Sequence, residues 1–242
     1  MALDINYIYQ TCRDILEKDA RGFFTPSQFN QYITSAQNEV FDDIYTLYTM
    51  ALQRRTARLE YKDFRYHSIN QIRDDLRPLY KSKVALTLDS GSTFNFPSDY
   101  RYLQGVDFGS IPCSMYHSDG DITNVLLSRV APTESYPAVS VDSGGITAYP
   151  TTITSNLTAT YYKNPRGLNS SGTPVSQDPT WAFDVVGGQS IYNATNSIQL
   201  ELPESTYNKV IMRVLQRSGM SIREMDIVNY AQAEEAEDLN QG

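Results

Sequence analysis

Apolar positions follow a helical period at both ends of this chain and a strand-like texture in the middle. Ile5, Ile8, Tyr9, Cys12, Ile15 and Leu16 recur at helical spacing, which predicts a short amphipathic helix over about 4–18. The stretch TPSQFNQYITSAQNEVFDDIYTLYTMAL carries the clearest signal. Thr25 and Gln28 have the spacing of a capping box, and Pro26 takes the first helical position. Phe29, Ile33, Ala36, Val40, Ile44, Leu47 and Ala51 then recur at steps of three and four, widened by Tyr32, Phe41, Tyr45 and Tyr48. The pattern predicts a helix reaching about Arg58, a rod of roughly 50 Å. So long a stripe needs cover from other helices of its own fold or from a neighbouring subunit. A weaker third helix, HSINQIRDDLRPLYKSK, ends near Pro78.

Beyond it the pattern changes. Residues 84–88 and 93–96 read as strands around the turn DSGS. FPSDYRYLQGVDFG reads as a turn and a strand, 121–130 as a strand, and PTESYPAVSVDSGG as a loop. Residues 145–149 and 156–162 read as a strand pair with Pro150 between them, followed by a long polar loop, NPRGLNSSGTPVSQDP. The last strand falls at 198–202. From Pro203 the helical period returns, with Tyr207, Val210, Ile211, Val214 and Leu215 on one face. Gly219 interrupts it. Ser221 and Glu224 form a second capping-box spacing, followed by Met225, Val228 and the acidic run AEEAEDLNQG. The expected fold class is α+β. N- and C-terminal helices pack as a helical bundle, with an inserted antiparallel β-sandwich or barrel-like domain. The expected boundaries are 1–82 for the first helical part, 83–202 for the β domain and 203–242 for the returning helix.

Charge sharpens this picture. The 242 residues carry a net charge of −8. Residues 51–83 hold nine Lys/Arg against four acids, a net +5, which leaves −13 for the rest. An acidic body is a poor general binder of nucleic acid, because affinity for phosphates comes from Lys and Arg. The basic segment, with Arg54, Arg55, Arg58, Lys62 and Arg65, reads equally as a docking surface for an acidic partner or as a solvated helix face. The 18 tyrosines against one tryptophan suit either partner-facing surfaces or half-exposed strands. The two cysteines, Cys12 and Cys113, form no disulfide framework. The first residues lack the apolar run of a secretory signal, no run reaches the length of a membrane span, and the sequons at Asn156, Asn169 and Asn193 read as chance.

Catalytic patterns are missing. There is no HExxH, GxSxG, GxxxxGK[ST], GxGxxG or paired CxxC. Asp119 and Asp121, with His117 nearby, form the one cluster with metal-binding chemistry, in a short acidic turn of a common kind. Neighbouring carboxylates such as Asp42–Asp43 and Asp74–Asp75 point in different directions on a helix and do not make an acid/base pair.

Several stretches resemble, in order, one family. RGFFTPSQFNQYITSAQNEVFDDI, INQIRDDLRPL, FNFPSDYRYL, ITAYPTTITSNLTATYYKNP and LELPESTYNKVIMRVL are similar to segments of the head-to-tail connector proteins of short-tailed bacteriophages, including crAss-like phages. The resemblance spans nearly the whole chain. It implies a structural virion protein without catalytic residues or cofactors. It implies a cyclic ring of about twelve copies, joining the portal protein to the tail or further ring proteins. Genomic DNA would pass through the ring without sequence-specific binding. The implied location is the virion head–tail junction, reached from the host cytoplasm and without a membrane. On this reading the partner interface includes Arg54, Arg55, Arg58, Lys62, Arg65, Arg166 and Trp181. Asn164-Pro165 ends a sheet edge and frees the loop 166–179 to reach a neighbour. Two other readings stay open: a tail or baseplate component with a carbohydrate- or partner-binding β domain, and an enzyme acting through His117, Asp119 and Asp121.

Overall fold

The structure, a computed structural model, describes residues 4–18, 24–56, 64–129 and 131–218. The chain is α+β and forms two compact units, 1–78 with 165–242, and 79–164.

The first unit is built on α1 (Ile5–Lys18), α2 (Pro26–Thr56), α3 (Phe64–Leu76) and α5 (Tyr207–Arg217). The Thr25–Gln28 capping box forms. Gln28 N donates to Thr25 Oγ1 at 3.3 Å, and Thr25 N donates to Gln28 Oε1 at 3.1 Å. Two orphan donors at the start of α2 are thereby satisfied. The apolar stripe of α2 is buried from Phe29 through Ile33, Ala36, Val40 and Phe41 to Ile44. Helix α5 packs on α2 and α1 and buries the five residues its periodicity selects: Tyr207, Val210, Ile211, Val214 and Leu215. Arg213 pairs with Asp43 at 2.6 Å, and Arg217 pairs with Glu39. The pairings climb α5 while descending α2, so the two helices run antiparallel. Both ion pairs are partly exposed and add at most ~1 kcal/mol each. The second capping-box spacing, at Ser221 and Glu224, lies outside the described residues.

The segment 165–202, expected with the β region, belongs to this unit. It contains β10 (Gly167–Leu168), β11 (Pro174–Val175) and β14 (Gln199–Leu200), ordered β11-β10-β14, and a hairpin of β12 (Phe183–Val186) and β13 (Gln189–Tyr192). Two amides on one face of α2, seven residues apart, bind it. Asn30 accepts from Trp181 N at 2.8 Å and donates to Trp181 O at 3.1 Å. The fully buried Gln37 accepts from Glu201 N at 3.2 Å and donates to Arg166 O at 2.9 Å. Each amide stands in for a neighbouring strand, pairing backbone groups that burial would otherwise strand. Trp181 stacks on Tyr9 with ring centroids 4.2 Å apart, and its Nε1 donates to Asn6 Oδ1 at 3.0 Å.

The second unit holds two sheets. One has the order β1-β9-β4-β5, with β1 (Tyr80–Ala85), β9 (Leu157–Lys163), β4 (Tyr100–Phe108) and β5 (Ile111–Pro112). The other has the order β2-β3-β8-β7-β6, with β2 (Thr87–Ser90), β3 (Thr93–Asn95), β8 (Gly145–Tyr149), β7 (Ala138–Asp142) and β6 (Ser114–Tyr116). All pairings are antiparallel except β6 with β7. Phe94, Val139, Ile146 and Ala148 of one sheet share a core with Val106 and Leu157 of the other, and with Ile153 between β8 and β9.

Three sequence expectations are corrected here. Residues 121–130 do not form a strand; α4 (Asp119–Leu126) stands there. Alternation would have put Asn124 on the face of Ile122, whereas helical spacing buries Ile122 and half-buries Val125. The stretch read as a loop before Gly144 contains β7, buried at Ala138, Val139 and Ser140 because strands flank it on both sides. The expected strand pair is not a pair: β8 bonds to β3 and β7, whereas β9 bonds to β1 and β4. The chain changes sheet between them. At the β7–β8 turn, Gly145 adopts φ +144°, and a Cβ there would meet Phe94 O at 2.4 Å, so only glycine fits.

Trp181→Ala is expected to destabilise the protein by about 3–5 kcal/mol. Gln37→Leu, which leaves Glu201 N–H and Arg166 C=O unpaired, is expected to cost about 2–4 kcal/mol. Urea unfolding midpoints check both, and an unchanged midpoint for either variant would show that the segment 165–202 is held elsewhere.

Candidate partner interface

Helix α2 becomes less buried toward its C-terminal end. Its last buried residue is Ile44, but the apolar pattern runs on through Leu47 and Met50, each about half exposed. Arg54 and Arg55 follow in its final turn, and Arg65 stands in the first turn of α3. Arg58 and Lys62 lie outside the described residues. The basic segment thus follows an apolar stretch of α2 that is about half exposed, in a helix that packs on α3 as well as on α5.

The other two expected interface residues have different roles. Trp181 is 1% exposed and serves the core. Its correction has a simple cause: a tryptophan in polar sequence reads as a surface anchor unless the partners Tyr9, Asn6 and Asn30 are known. Arg166 is tied within the first unit. Its guanidinium pairs with Asp178 at 2.7 Å, its N–H donates to Glu201 Oε2 at 3.0 Å, and its C=O accepts from Gln37. The loop behind it is correspondingly fastened. Gly167 and Leu168 pair with both β11 and β14, and Asn169 Oδ1 accepts from Ser171 N and Thr173 N at 3.0 and 2.8 Å. Nor does Asn164-Pro165 end an edge strand, since β9 lies between β1 and β4.

The resembling motifs meet in the second unit. In the turn before β4, Asp99 Oδ1 accepts from Tyr161 Oη at 2.7 Å and Asp99 O accepts from Asn164 N at 2.7 Å. Arg101 donates to Asn164 Oδ1 at 2.9 Å. Burial and the Asp99 carboxylate raise the Tyr161 phenol above its ordinary value, so it remains a donor. These side chains lock the end of β9 to the start of β4.

Sequence reasoning missed two surface features of the first unit. The β12–β13 hairpin exposes Val185 (68%), Val186 (59%) and Ile191 (50%). Its signal was present: Gly187-Gly188, both at positive φ, is a two-residue hairpin turn between β-prone residues. The second is a cavity of about 420 Å³ at the start of α5, lined by residues of β10, β11, β14 and the turn before the helix. No local pattern announces it, because its walls come from separate segments.

His117 and Asp121 are exposed, and Asp119 begins α4. Among the described residues, no group of three or more His, Cys, Asp or Glu is placed to hold a metal ion. No described helix is long and apolar enough to cross a membrane. Burial raises the Cys12 thiol to about 12 and the Cys113 thiol to about 11. Compared with models of protein families and with curated proteins, the chain matches none.

The raised thiols predict slow chemistry. Raising a thiol by about two pH units removes about 99% of its thiolate near pH 8. Labelling of the folded protein by a disulfide reagent at pH 8 is expected to run at least about a hundredfold slower than in urea. Rapid labelling without urea would show a thiol more accessible than its burial allows.

Proposed function

We propose that the chain is a structural virion protein that forms a ring at the portal vertex, joining portal to tail and letting DNA pass through its channel. The observation that carries this reading is the end of α2, where Leu47 and Met50 are about half exposed and lead into a basic segment. A neighbouring subunit supplies the cover that such a helix needs. The ordered resemblance to connector proteins points the same way. In this reading the helices form a bundle, the second unit is a β-sandwich-like insertion, and no cofactor or catalytic residue takes part. The basic segment meets an acidic face of an adjacent subunit or of the portal, and acidic surface lines the channel so that DNA slides without sticking. A tail or baseplate role for the β unit is the second reading, and a glycan-binding screen separates the two.

Mass spectrometry of purified particles, counting this chain against the major shell protein, is expected to give about a dozen copies. A much larger count would make it a shell or decoration protein, and absence would end the virion reading. The variant Arg54→Glu/Arg55→Glu/Arg58→Glu is expected to keep its unfolding midpoint but lose docking in an assembly assay. Normal docking would refute the electrostatic part of the proposal.

A further inference from the structure

A second, smaller cavity of about 250 Å³ opens in the first unit, between the turn that joins β10 to β11 and the segment that leads into β14. Asn169, Gln177 and Asn196 bring three carboxamides to it, and Ser170 and Thr195 bring hydroxyls. Val175 and Ile198 add two apolar patches. Among the described residues that line it, none is charged. Both loops are held from within. Asn169 Oδ1 accepts from Ser171 N and Thr173 N, and Asn193 Oδ1 accepts from Thr195 N and Asn196 N at 3.1 Å each. Ser197 Oγ accepts from Ala182 N at 2.9 Å and donates to Asn193 O at 2.7 Å. The carboxamides of Gln177 and Asn196 and the amide nitrogen of Asn169 take no part in these bonds, nor in any other among the described residues. Asn30 and Gln37, by contrast, spend both ends of their carboxamides on the backbone.

We propose that this cavity is a subsite for one ring of a neutral saccharide. A carboxamide offers a donor and an acceptor at one end, and sugar hydroxyls are themselves both, so three free carboxamides suit a ring that carries several. Val175 and Ile198 meet its C–H face. The volume lies below the roughly 300–1,000 Å³ of sites for drug-sized ligands, which limits the occupant to about one ring. The uncharged lining selects against other ligands. A phosphate or carboxylate is held by cations, and none lines the cavity. An organic cation calls for a carboxylate, and the nearest in sequence are engaged: Asp178 pairs with Arg166 at 2.7 Å, and Asp184 accepts from Asn193 Nδ2 at 2.9 Å. A peptide strand also pairs with amides, but it needs an open edge several residues long, which a cavity of this size does not offer. The loops are set before the ligand arrives, so binding does not first have to order them. The inference does not rest on the ring reading.

Saturation-transfer NMR on the full chain tests the site, with a panel of neutral mono- and disaccharides at millimolar concentration. Transfer to at least one sugar is expected, and it is expected to be insensitive to added salt, because no ion pair contributes. Gln177→Ala and Asn196→Ala, both at exposed positions, are each expected to lower the signal several-fold at an unchanged urea midpoint. Gln189→Ala, an exposed carboxamide of the hairpin outside the cavity, is expected to leave it unchanged. No transfer to any sugar of the panel would overturn the proposal. So would transfer that survives both cavity substitutions, which would place the saccharide elsewhere, the second unit included. Transfer to neutral peptides and not to the sugars would make this a peptide site and overturn it as well. Copy counting reads the ring proposal separately: a dozen copies per particle without sugar binding removes only this subsite, and sugar binding by a chain absent from particles removes only the connector reading.

Discussion

The first unit depends on two side-chain amides. Asn30 and Gln37 sit on one face of α2 and pair with the backbone of Trp181, Arg166 and Glu201. A helix offers no free backbone groups along its side, so an irregular segment laid against it would bury unpaired N–H and C=O groups. Carboxamides solve this because each has a donor and an acceptor at one end. With the backbone satisfied, Trp181 can be buried against Tyr9, and β10 and β14 can pair beside the helix. Without these bonds the segment 165–202 would have no dry surface on which to lie.

The same constraint governs which side chains stay at the surface. Of the residues nearest the amides, Trp181 is buried, and Arg166 is tied by its backbone and by its pair with Asp178. Exposed apolar side chains lie beyond the reach of the network, at Leu47 and Met50 of α2 and at Val185, Val186 and Ile191 of the hairpin. A buried interior and exposed apolar side chains thus coexist in one unit.

How much of this was legible in the sequence follows from the range of each interaction. The Thr25–Gln28 cap, the stripe of α2 through Ile44 and the buried face of α5 are set within a few turns, and periodicity shows them. The strands β8 and β9 were located to within a residue, but alternation says nothing about which strand lies alongside, so their separation into two sheets was hidden. Helix α4 was missed because its eight residues offer only Ile122 and Val125 as apolar contacts, too few to outweigh the strands read around it. Asn30 and Gln37 looked like the polar face of a helix, and their partners lie more than a hundred residues away. For the same reason Trp181 looked available to a partner. The basic residues at the end of α2 were visible as composition, and the half exposure of Leu47 and Met50 before them was not.

The two units differ in how they are threaded. Residues 79–164 are continuous, whereas the other unit takes its parts from both sides of them. During synthesis the β unit's whole sequence is made before Trp181 has been added, while α1 and α2 wait with their core face uncovered. Asn30 meets its partner only after 151 further residues, a long-range closure that makes the helical unit the late and aggregation-exposed step. The helical unit can close only once Tyr207–Arg217 has been made.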